Sequence, residues 1–323
     1  MPQLTAIIQP SRAIEQEERL PGETSRHPAP HEQSCVLPAR ITRNASKQAY
    51  YTIRLLADRD RQLDAYRAYA YFRWVDDWLD QPVLPQSRRL TFLQRQQRLV
   101  TSGYRGEWLE DLLPEERLVV DLIRSDSDRH SGLHSYIHNM TTVMAFDAER
   151  RWRTISGGEL DQYTLCLAIA VTDALHYFVG HERTPSHAHA RYYPAIGAHI
   201  THMLRDTVED VGLGYFNIPR EFLQPHGIAP GDVASAPYRD WVKSRVCLAR
   251  RYFEDGARYL NQVKSLRCRI AGYAYIARFV GLLDTIAQEE YRLRAAYPEF
   301  KHMGRVLSMS GYAIANALRR GRQ

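Results

Sequence analysis

Two short acidic segments, far apart in the chain, most constrain how it can fold. Asp76 and Asp80 stand four residues apart in the first, and Asp206 and Asp210 stand four residues apart in the second. This spacing places both members of each pair on one face of an α-helix, about one turn from each other. Like charges so placed destabilise a helix by about 0.2–0.5 kcal/mol. The sequence therefore predicts two helices whose acidic faces are neutralised by a cation.

The remaining chain shows helical periodicity and no convincing strand pattern. From about residue 42 onward, apolar residues recur at three- and four-residue spacing, which is typical of helices packed around a core. Residues 1–41 instead contain six prolines among polar neighbours, a composition that buries too little apolar surface to order the chain. The sequence predicts a mostly disordered arm over 1–41 and one all-α catalytic domain over 42–323.

Composition excludes several classes of protein. The net charge of +6 is spread along the chain and no nucleic-acid motif accompanies it, so we expect no nucleic-acid partner. The longest mostly apolar stretch, 165–174, is shorter than the ~20 residues of a membrane crossing. The four cysteines form no C-x-x-C pair and are interpreted as reduced thiols. With no secretory signal visible, the sequence predicts a cytoplasmic protein.

The acidic segments suggest a specific chemistry. Mg²⁺ prefers oxygen ligands and is commonly held by one or two carboxylates together with substrate phosphate oxygens; Mn²⁺ is the second candidate. Arg73 precedes the first pair and Arg205 precedes the second, and a guanidinium binds phosphate in a fork. Two such faces could hold a diphosphate and let an allylic carbon–oxygen bond ionise inside an apolar helical barrel.

These segments resemble the squalene and phytoene synthase family, the head-to-head trans-prenyl diphosphate synthases, over about residues 46–294. The first acidic segment with Tyr69 and Arg73, and the second with Arg205, match the two aspartate-rich motifs of that family in type and spacing. Ser46 and Lys47 resemble its diphosphate-contacting serine segment. The resemblance implies the isoprenoid synthase fold, a single helical barrel around a central apolar cavity.

The resemblance also implies roles for individual residues. The metal ligands would be Asp76, Asp80, Asp206 and Asp210, with Asp77 and Glu209 as neighbours that ligate directly or through water. Diphosphate would be contacted by Arg73, Arg205, Ser46 and Lys47. Tyr163 would lie near the reacting carbons, and the substrate-binding residues would further include Tyr69, Leu167, Val171 and His202.

The reaction implied is the condensation of two prenyl diphosphates, farnesyl or geranylgeranyl, through a cyclopropylcarbinyl diphosphate. The sequence leaves the use of NADPH open, because squalene formation needs a hydride donor and phytoene formation does not. It favours a monomer. A basic amphipathic segment over 303–320 suggests either peripheral contact with anionic lipid or a final helix packed on the barrel.

Several positions depart from the family pattern. His199 and His202 stand where the family has a glutamine and an asparagine, the segment 215–217 lacks the family's arginine and tyrosine, and Phe279 replaces a late tyrosine. Histidine nitrogen is softer than an amide oxygen and titrates near neutral pH. These departures keep an alternative open: a class I terpene synthase that ionises a single C15 or C20 diphosphate. A non-catalytic scaffold is disfavoured because all four metal aspartates are present.

Overall fold

The computed structural model describes residues 30–81, 84–180 and 189–298, with side chains from residue 37 onward. The helical segment predicted over 303–320 and residues 1–29 of the predicted arm lie outside these ranges. The first described helix begins at Pro30, inside the segment for which the sequence predicts an arm. The boundary between arm and domain stays a prediction.

The described residues are helical and contain no strand, which confirms the predicted all-α class. One isolated parallel bridge joins Arg153 to Tyr215, and 3₁₀ turns precede two of the helices. The α-helices are α1 (Pro30–Ala45), α2 (Lys47–Leu56), α3 (Gln62–Leu79), α4 (Gln86–Arg105), α5 (Pro114–Ser125), α6 (Gly132–Arg150), α7 (Gly157–Gly180), α8 (Tyr193–Leu213), α9 (Arg220–His226), α10 (Ala236–Leu260) and α11 (Leu266–Gln288).

Local sequence explains where many of these helices begin and end. The Ser131 hydroxyl accepts a hydrogen bond from the His134 amide at 2.9 Å and caps α6, and Ser46 caps α2 in the same way. Such caps satisfy amides that have no partner within the helix. Gly214 ends α8 with φ of 85°, a left-handed conformation that glycine adopts without strain.

Packing joins α3 and α8 through one apolar core to which both helices contribute. The most extensive contacts join α6 to α7 and α8 to α10, while α3 packs on α1 and α5 and touches α6. The core is a single cluster of buried apolar side chains drawn from almost every helix. Tyr71, Leu133, Ile200 and Phe279 are among its most buried members, each 2% exposed or less.

Two helices, α7 and α11, are long and apolar enough to cross a membrane by length and composition. Within the protein, 67% of the apolar window of α7 is buried and 39% of that of α11. The buried carboxylate of Asp173, on α7, is paired with Arg191. Core helices meet the same two criteria, so this finding is weak evidence of membrane association, and the cytoplasmic location stays a prediction.

Candidate active site

The first acidic motif lies at the C-terminal end of α3. Asp76 is in the last turn and only 2% exposed, Asp80 caps the helix, and the side chain of Asp77 is 54% exposed and paired with Arg73. The buried Nε of Arg73 has no hydrogen-bond partner among the described residues. This motif therefore combines a buried and an exposed carboxylate with a guanidinium that keeps donor capacity.

The second acidic motif lies at the C-terminal end of α8 and is more deeply buried. Asp210 is 0% exposed and Asp206 is 9% exposed, whereas Glu209 lies on the exposed side of the helix. Arg205 forks onto both carboxylate oxygens of Asp206, with both N–O distances 2.6 Å. In this structure, the arginine of each motif thus neutralises an aspartate of its own motif.

A buried polar network continues from the second motif into α6 and α7. Asn217 donates to Asp210 Oδ2 at 2.8 Å and accepts from Arg150 at 3.0 Å. Arg150 also pairs with Asp147 at 2.7 Å, and Tyr163 donates its hydroxyl hydrogen to the other oxygen of Asp147 at 2.8 Å. Burial and the charge of Asp147 hold the pKa of Tyr163 far above its usual range. The network fixes the Tyr163 phenol relative to Asp210.

Tyr215 connects the two motifs electrostatically. Burial raises the pKa of its phenol, and the carboxylates of Asp147 and Asp80 raise it further. Asp80 and the network around Asp210 therefore both act electrostatically on Tyr215. The end of α3 and the turn after α8 thus lie within electrostatic range of one phenol.

Helix geometry makes both motifs favourable sites for a cation. The C-terminal end of a helix carries partial negative charge, and acidic side chains there are unfavourable. The last turns of α3 and α8 contain no basic residue to offset it. Burial and neighbouring Asp206 raise the pKa of Asp210 well above its usual range. A divalent cation would remove these costs.

The carboxylate oxygens suit a magnesium ion whose ligands come partly from the protein and partly from the substrate. Asp210 Oδ1 is buried and has no hydrogen-bond partner among the described residues, and a buried carboxylate oxygen left without a partner costs about 1–3 kcal/mol or more. The described residues contain no group of three or more His, Cys, Asp or Glu placed to hold a metal by themselves. Mg²⁺ characteristically retains waters and completes its shell with phosphate oxygens rather than using an all-protein cage.

The predicted diphosphate segment lies beside the first motif. Ser46 is 2% exposed, its hydroxyl accepts from the Ala49 amide at 3.1 Å, and it is hydrogen-bonded to the Tyr69 phenol. Lys47, the first residue of α2, is exposed. A helix N-terminus of this kind favours anions, so the local structure is compatible with the predicted phosphate contact.

The interior also contains polar atoms that the aspartate motifs do not explain. Neither ring nitrogen of His202 has a hydrogen-bond partner among the described residues, and the same holds for His199 Nε2 and the Tyr275 hydroxyl. The His202 ring packs edge to face on the Phe279 ring with 4.6 Å between the ring centroids, and the His199 ring packs on the Tyr163 ring with 5.0 Å between theirs. Leu167, predicted beside the substrate, is buried, and Val171 is half-buried against the core.

Three residues of the network were absent from the sequence-based site: Asp147, Arg150 and Asn217. Arg150 is only 1% exposed, and a fully buried guanidinium almost always has a charged partner. The spacing of Asp147 and Arg150 within an apolar helix was a usable signal for a buried ion pair. The link from Arg150 to Asn217 spans 67 residues and has no local sequence signature.

Comparisons with known proteins agree with this geometry. The squalene/phytoene synthase family matches residues 42–307, which confirms the resemblance found in the motifs. A solved structure described as a dehydrosqualene synthase in complex with ligand has a similar fold, with a TM-score of 0.66 at 16% sequence identity, over 88% of this chain and 96% of that chain. No curated protein sequence matches the chain. Because the family match covers most of the chain, the protein belongs to the squalene/phytoene synthase family of prenyltransferases, which act on prenyl diphosphates.

Proposed function

We propose that this protein is a Mg²⁺-dependent enzyme that condenses two farnesyl or geranylgeranyl diphosphates head to head through a cyclopropylcarbinyl diphosphate. The observation that carries the proposal is the placement of two acidic motifs at the ends of α3 and α8, with Asp80 and the Asp147 carboxylate of the Asp210 network both raising the pKa of Tyr215. A product of thirty or forty carbons would follow from the two substrates.

The aspartates would hold the metal, with Mn²⁺ as a second candidate. Asp76, Asp80, Asp206 and Asp210 would ligate, and exposed Asp77 and Glu209 would act through water. When bound, Mg²⁺ would neutralise charge on the diphosphate leaving group. The orphan Oδ1 of Asp210 is the atom that most directly supports this assignment.

The arginines would change partners when substrate binds. Arg205 now forks onto Asp206 and Arg73 donates a single hydrogen bond to Asp77. A guanidinium can bind phosphate, as well as carboxylate, through two such bonds. Once a bound metal ion neutralises the aspartates, Arg73 and Arg205 would be free to bind the diphosphate. Ser46 and Lys47, at the N-terminus of α2, would complete the phosphate contacts, with Tyr69 holding Ser46 in place.

The interior would protect and orient the hydrocarbon. Leu167 and Val171 present apolar surface from α7, and the phenol of Tyr163 is held by Asp147, so its ring and oxygen are in fixed positions beside that surface. A phenol held in this position would stabilise a carbocation without having to reorient first. Exclusion of water by the surrounding core would prevent early quenching of the cation.

The proposed setting is a monomer in the cytoplasm. An enzyme that releases a water-insoluble hydrocarbon benefits from peripheral contact with a membrane, and the apolar helices α7 and α11 give weak support for such contact. Oligomeric state would be checked by light scattering, and membrane contact by sedimentation with anionic vesicles.

The test is to incubate purified protein with Mg²⁺ and farnesyl or geranylgeranyl diphosphate, with and without NADPH. Released diphosphate would be measured, and hexane-extracted products identified by mass. We expect a hydrocarbon of twice the substrate's carbon number, and no release by Asp206→Ala. A hydrocarbon or alcohol with the carbon number of a single substrate would instead show a class I terpene synthase on this scaffold, and absence of Mg²⁺-dependent release from either diphosphate would contradict both.

A further inference from the structure

The most unusual feature of the interior is His202. It lies on α8 one turn before Asp206, so it shares the acidic face of that helix, and it is only 1% exposed. Both of its ring nitrogens are without a hydrogen-bond partner among the described residues. A neutral imidazole has one N–H and one lone pair. Whichever nitrogen carries the hydrogen, the other therefore offers a free lone pair to the interior.

The surroundings of His202 keep it neutral. Burial, followed by the charges of Arg205 and Arg278, lowers its pKa well below the usual range. Nearby His199 behaves alike: burial, Arg150 and Arg245 lower its pKa to about 3. A neutral ring provides no charge for binding phosphate. It does provide a lone pair that a proton donor can use.

Two alternatives fit His202 less well than a role as a base. A hard cation prefers oxygen to imidazole nitrogen, and no group of three ligating side chains surrounds a common point in the described part of the chain. A merely structural histidine is expected to have its buried nitrogens satisfied. The His202 ring instead packs edge to face on the Phe279 ring, with 4.6 Å between the ring centroids. Phe279 also packs on the ring of Tyr275, whose hydroxyl has no hydrogen-bond partner among the described residues. Aromatic rings of this kind stabilise a nearby cation.

We propose that His202 is the base that ends the carbocation reaction, taking a proton from the hydrocarbon cation so that the product is an olefin. This inference rests on the proposed function, because only ionisation of a prenyl diphosphate supplies the cation. It goes further by assigning the last step to one residue and by implying that the reaction does not use NADPH.

The step balances without another reactant. The C–H bond next to the cationic carbon breaks, its electron pair becomes the second bond of a carbon–carbon double bond, and the proton forms an N–H bond on imidazole. A carbocation is a far stronger acid than any imidazolium, so even a weakly basic ring accepts the proton. The imidazolium is disfavoured beside Arg205 and Arg278, and the released diphosphate takes up the proton. NADPH is not consumed.

The experiment compares product identity with diphosphate release. His202→Phe removes the lone pair and keeps a ring of similar size, and His202→Gln keeps a polar group that is not a base. His134→Phe is the matched control, because His134 lies on α6, is half-buried and packs on the ring of Tyr104. Each protein would be supplied with Mg²⁺ and prenyl diphosphate deuterated at both C1 positions, with and without NADPH, and its folding checked by thermal unfolding.

For the wild type and His134→Phe we expect an olefin in the absence of NADPH that retains two of the four C1 deuterium atoms supplied, because one is lost when the cyclopropane closes and one in the final deprotonation. For both His202 variants we expect the amount of olefin formed per diphosphate released to fall by about a hundredfold, with alcohol or cyclopropylcarbinyl diphosphate in its place.

Three results would overturn the proposal. These are an unchanged olefin share in folded His202 variants, retention of three of the four deuterium atoms in the wild-type hydrocarbon, and a wild-type product formed only with NADPH. Should both variants fail to fold, the wild-type deuterium count decides. Absence of diphosphate release by the wild type would overturn the proposed function itself, which separates that failure from an error about His202.

Discussion

The two acidic motifs look alike in sequence and differ in their surroundings. The motif at the end of α3 is partly open, since the Asp77 side chain is 54% exposed. The motif at the end of α8 is buried, and Asn217, Arg150 and Asp147 connect Asp210 to Tyr163. The comparison teaches that contacts within the protein hold the second half of the site in place. On the proposed function, metal and substrate would complete the first half.

The largest expected effect removes a ligand from either half. Asp76→Ala and Asp206→Ala should each lower diphosphate release by about a thousandfold or more, because loss of metal-based charge stabilisation is worth several kcal/mol. Steady-state release at saturating Mg²⁺ measures this. Equal and modest losses in both variants would show that neither motif holds a metal required for ionisation.

Arg150→Met should destabilise the protein by about 3–5 kcal/mol, because it leaves the buried carboxylate of Asp147 without its cation. The matched control is Arg153→Met, whose exposed pair with Glu159 is worth about 0–1 kcal/mol. Free energies of unfolding from urea titration compare the two. Similar values for both variants would mean that the buried network does not organise the second motif.

Tyr163→Phe should cost about 1.5–3 kcal/mol, since Asp147 loses a hydrogen bond to a charged acceptor. Because Tyr163 and Arg150 bind the same carboxylate, the double variant with Arg150→Met should differ from the sum of the single variants by about 0.5–3 kcal/mol. Additive free energies of unfolding would show that Tyr163 and Arg150 contact Asp147 independently of each other.

Asp210→Asn should stabilise the metal-free protein, increasingly as pH rises. The folded pKa of Asp210 is raised, so its stabilising contribution is complete below the unfolded pKa and is lost as pH rises through the folded pKa. The amide does not titrate. Urea unfolding with a chelator, from about pH 5 to about pH 8, should show the variant gaining on the wild type. A constant difference would contradict the assigned burial effect, and added Mg²⁺ should stabilise only the wild type.

The smallest effect is expected in the open half. Asp77→Asn should change the free energy of unfolding by less than about 0.5 kcal/mol, because exposed substitutions rarely do more. Its effect should appear instead in the KM for prenyl diphosphate, since Arg73 loses its present partner. A stability change as large as that of Tyr163→Phe would show that the first motif is also organised by the protein.

Much of the fold followed from local pattern. Apolar spacing predicted the helices, and the i, i+4 aspartates predicted where the two motifs lie on them. The position of Tyr163 followed from the resemblance, but its partner Asp147 did not, because side-chain pairing between α6 and α7 depends on packing. In the sequence, the segment 215–217 shows only that the family's arginine and tyrosine are missing. The structure shows that Asn217 donates a hydrogen bond to Asp210 and accepts one from Arg150, contacts that arise from packing between distant parts of the chain.

The helix Pro30–Ala45 extends into the predicted arm because composition describes a segment alone, without the neighbour that orders it. Its later turns pack on α3, and Thr42 is fully buried there. Pro38 lies inside the helix, a position where proline removes a backbone hydrogen bond. Tertiary contact outweighs this local cost.

The contact between the end of α6 and the turn after α8 bears on how the protein unfolds when it is heated. The Trp152 amide donates to the Gly214 carbonyl at 2.7 Å, and a Cβ on Gly214 would lie only 2.5 Å from the Trp152 ring, so this approach requires glycine at 214. We expect this contact to keep the α8 half ordered until global unfolding, and the more exposed end of α3 to lose its order at a lower temperature. On heating, catalysis should therefore fade well before the helical circular dichroism signal does.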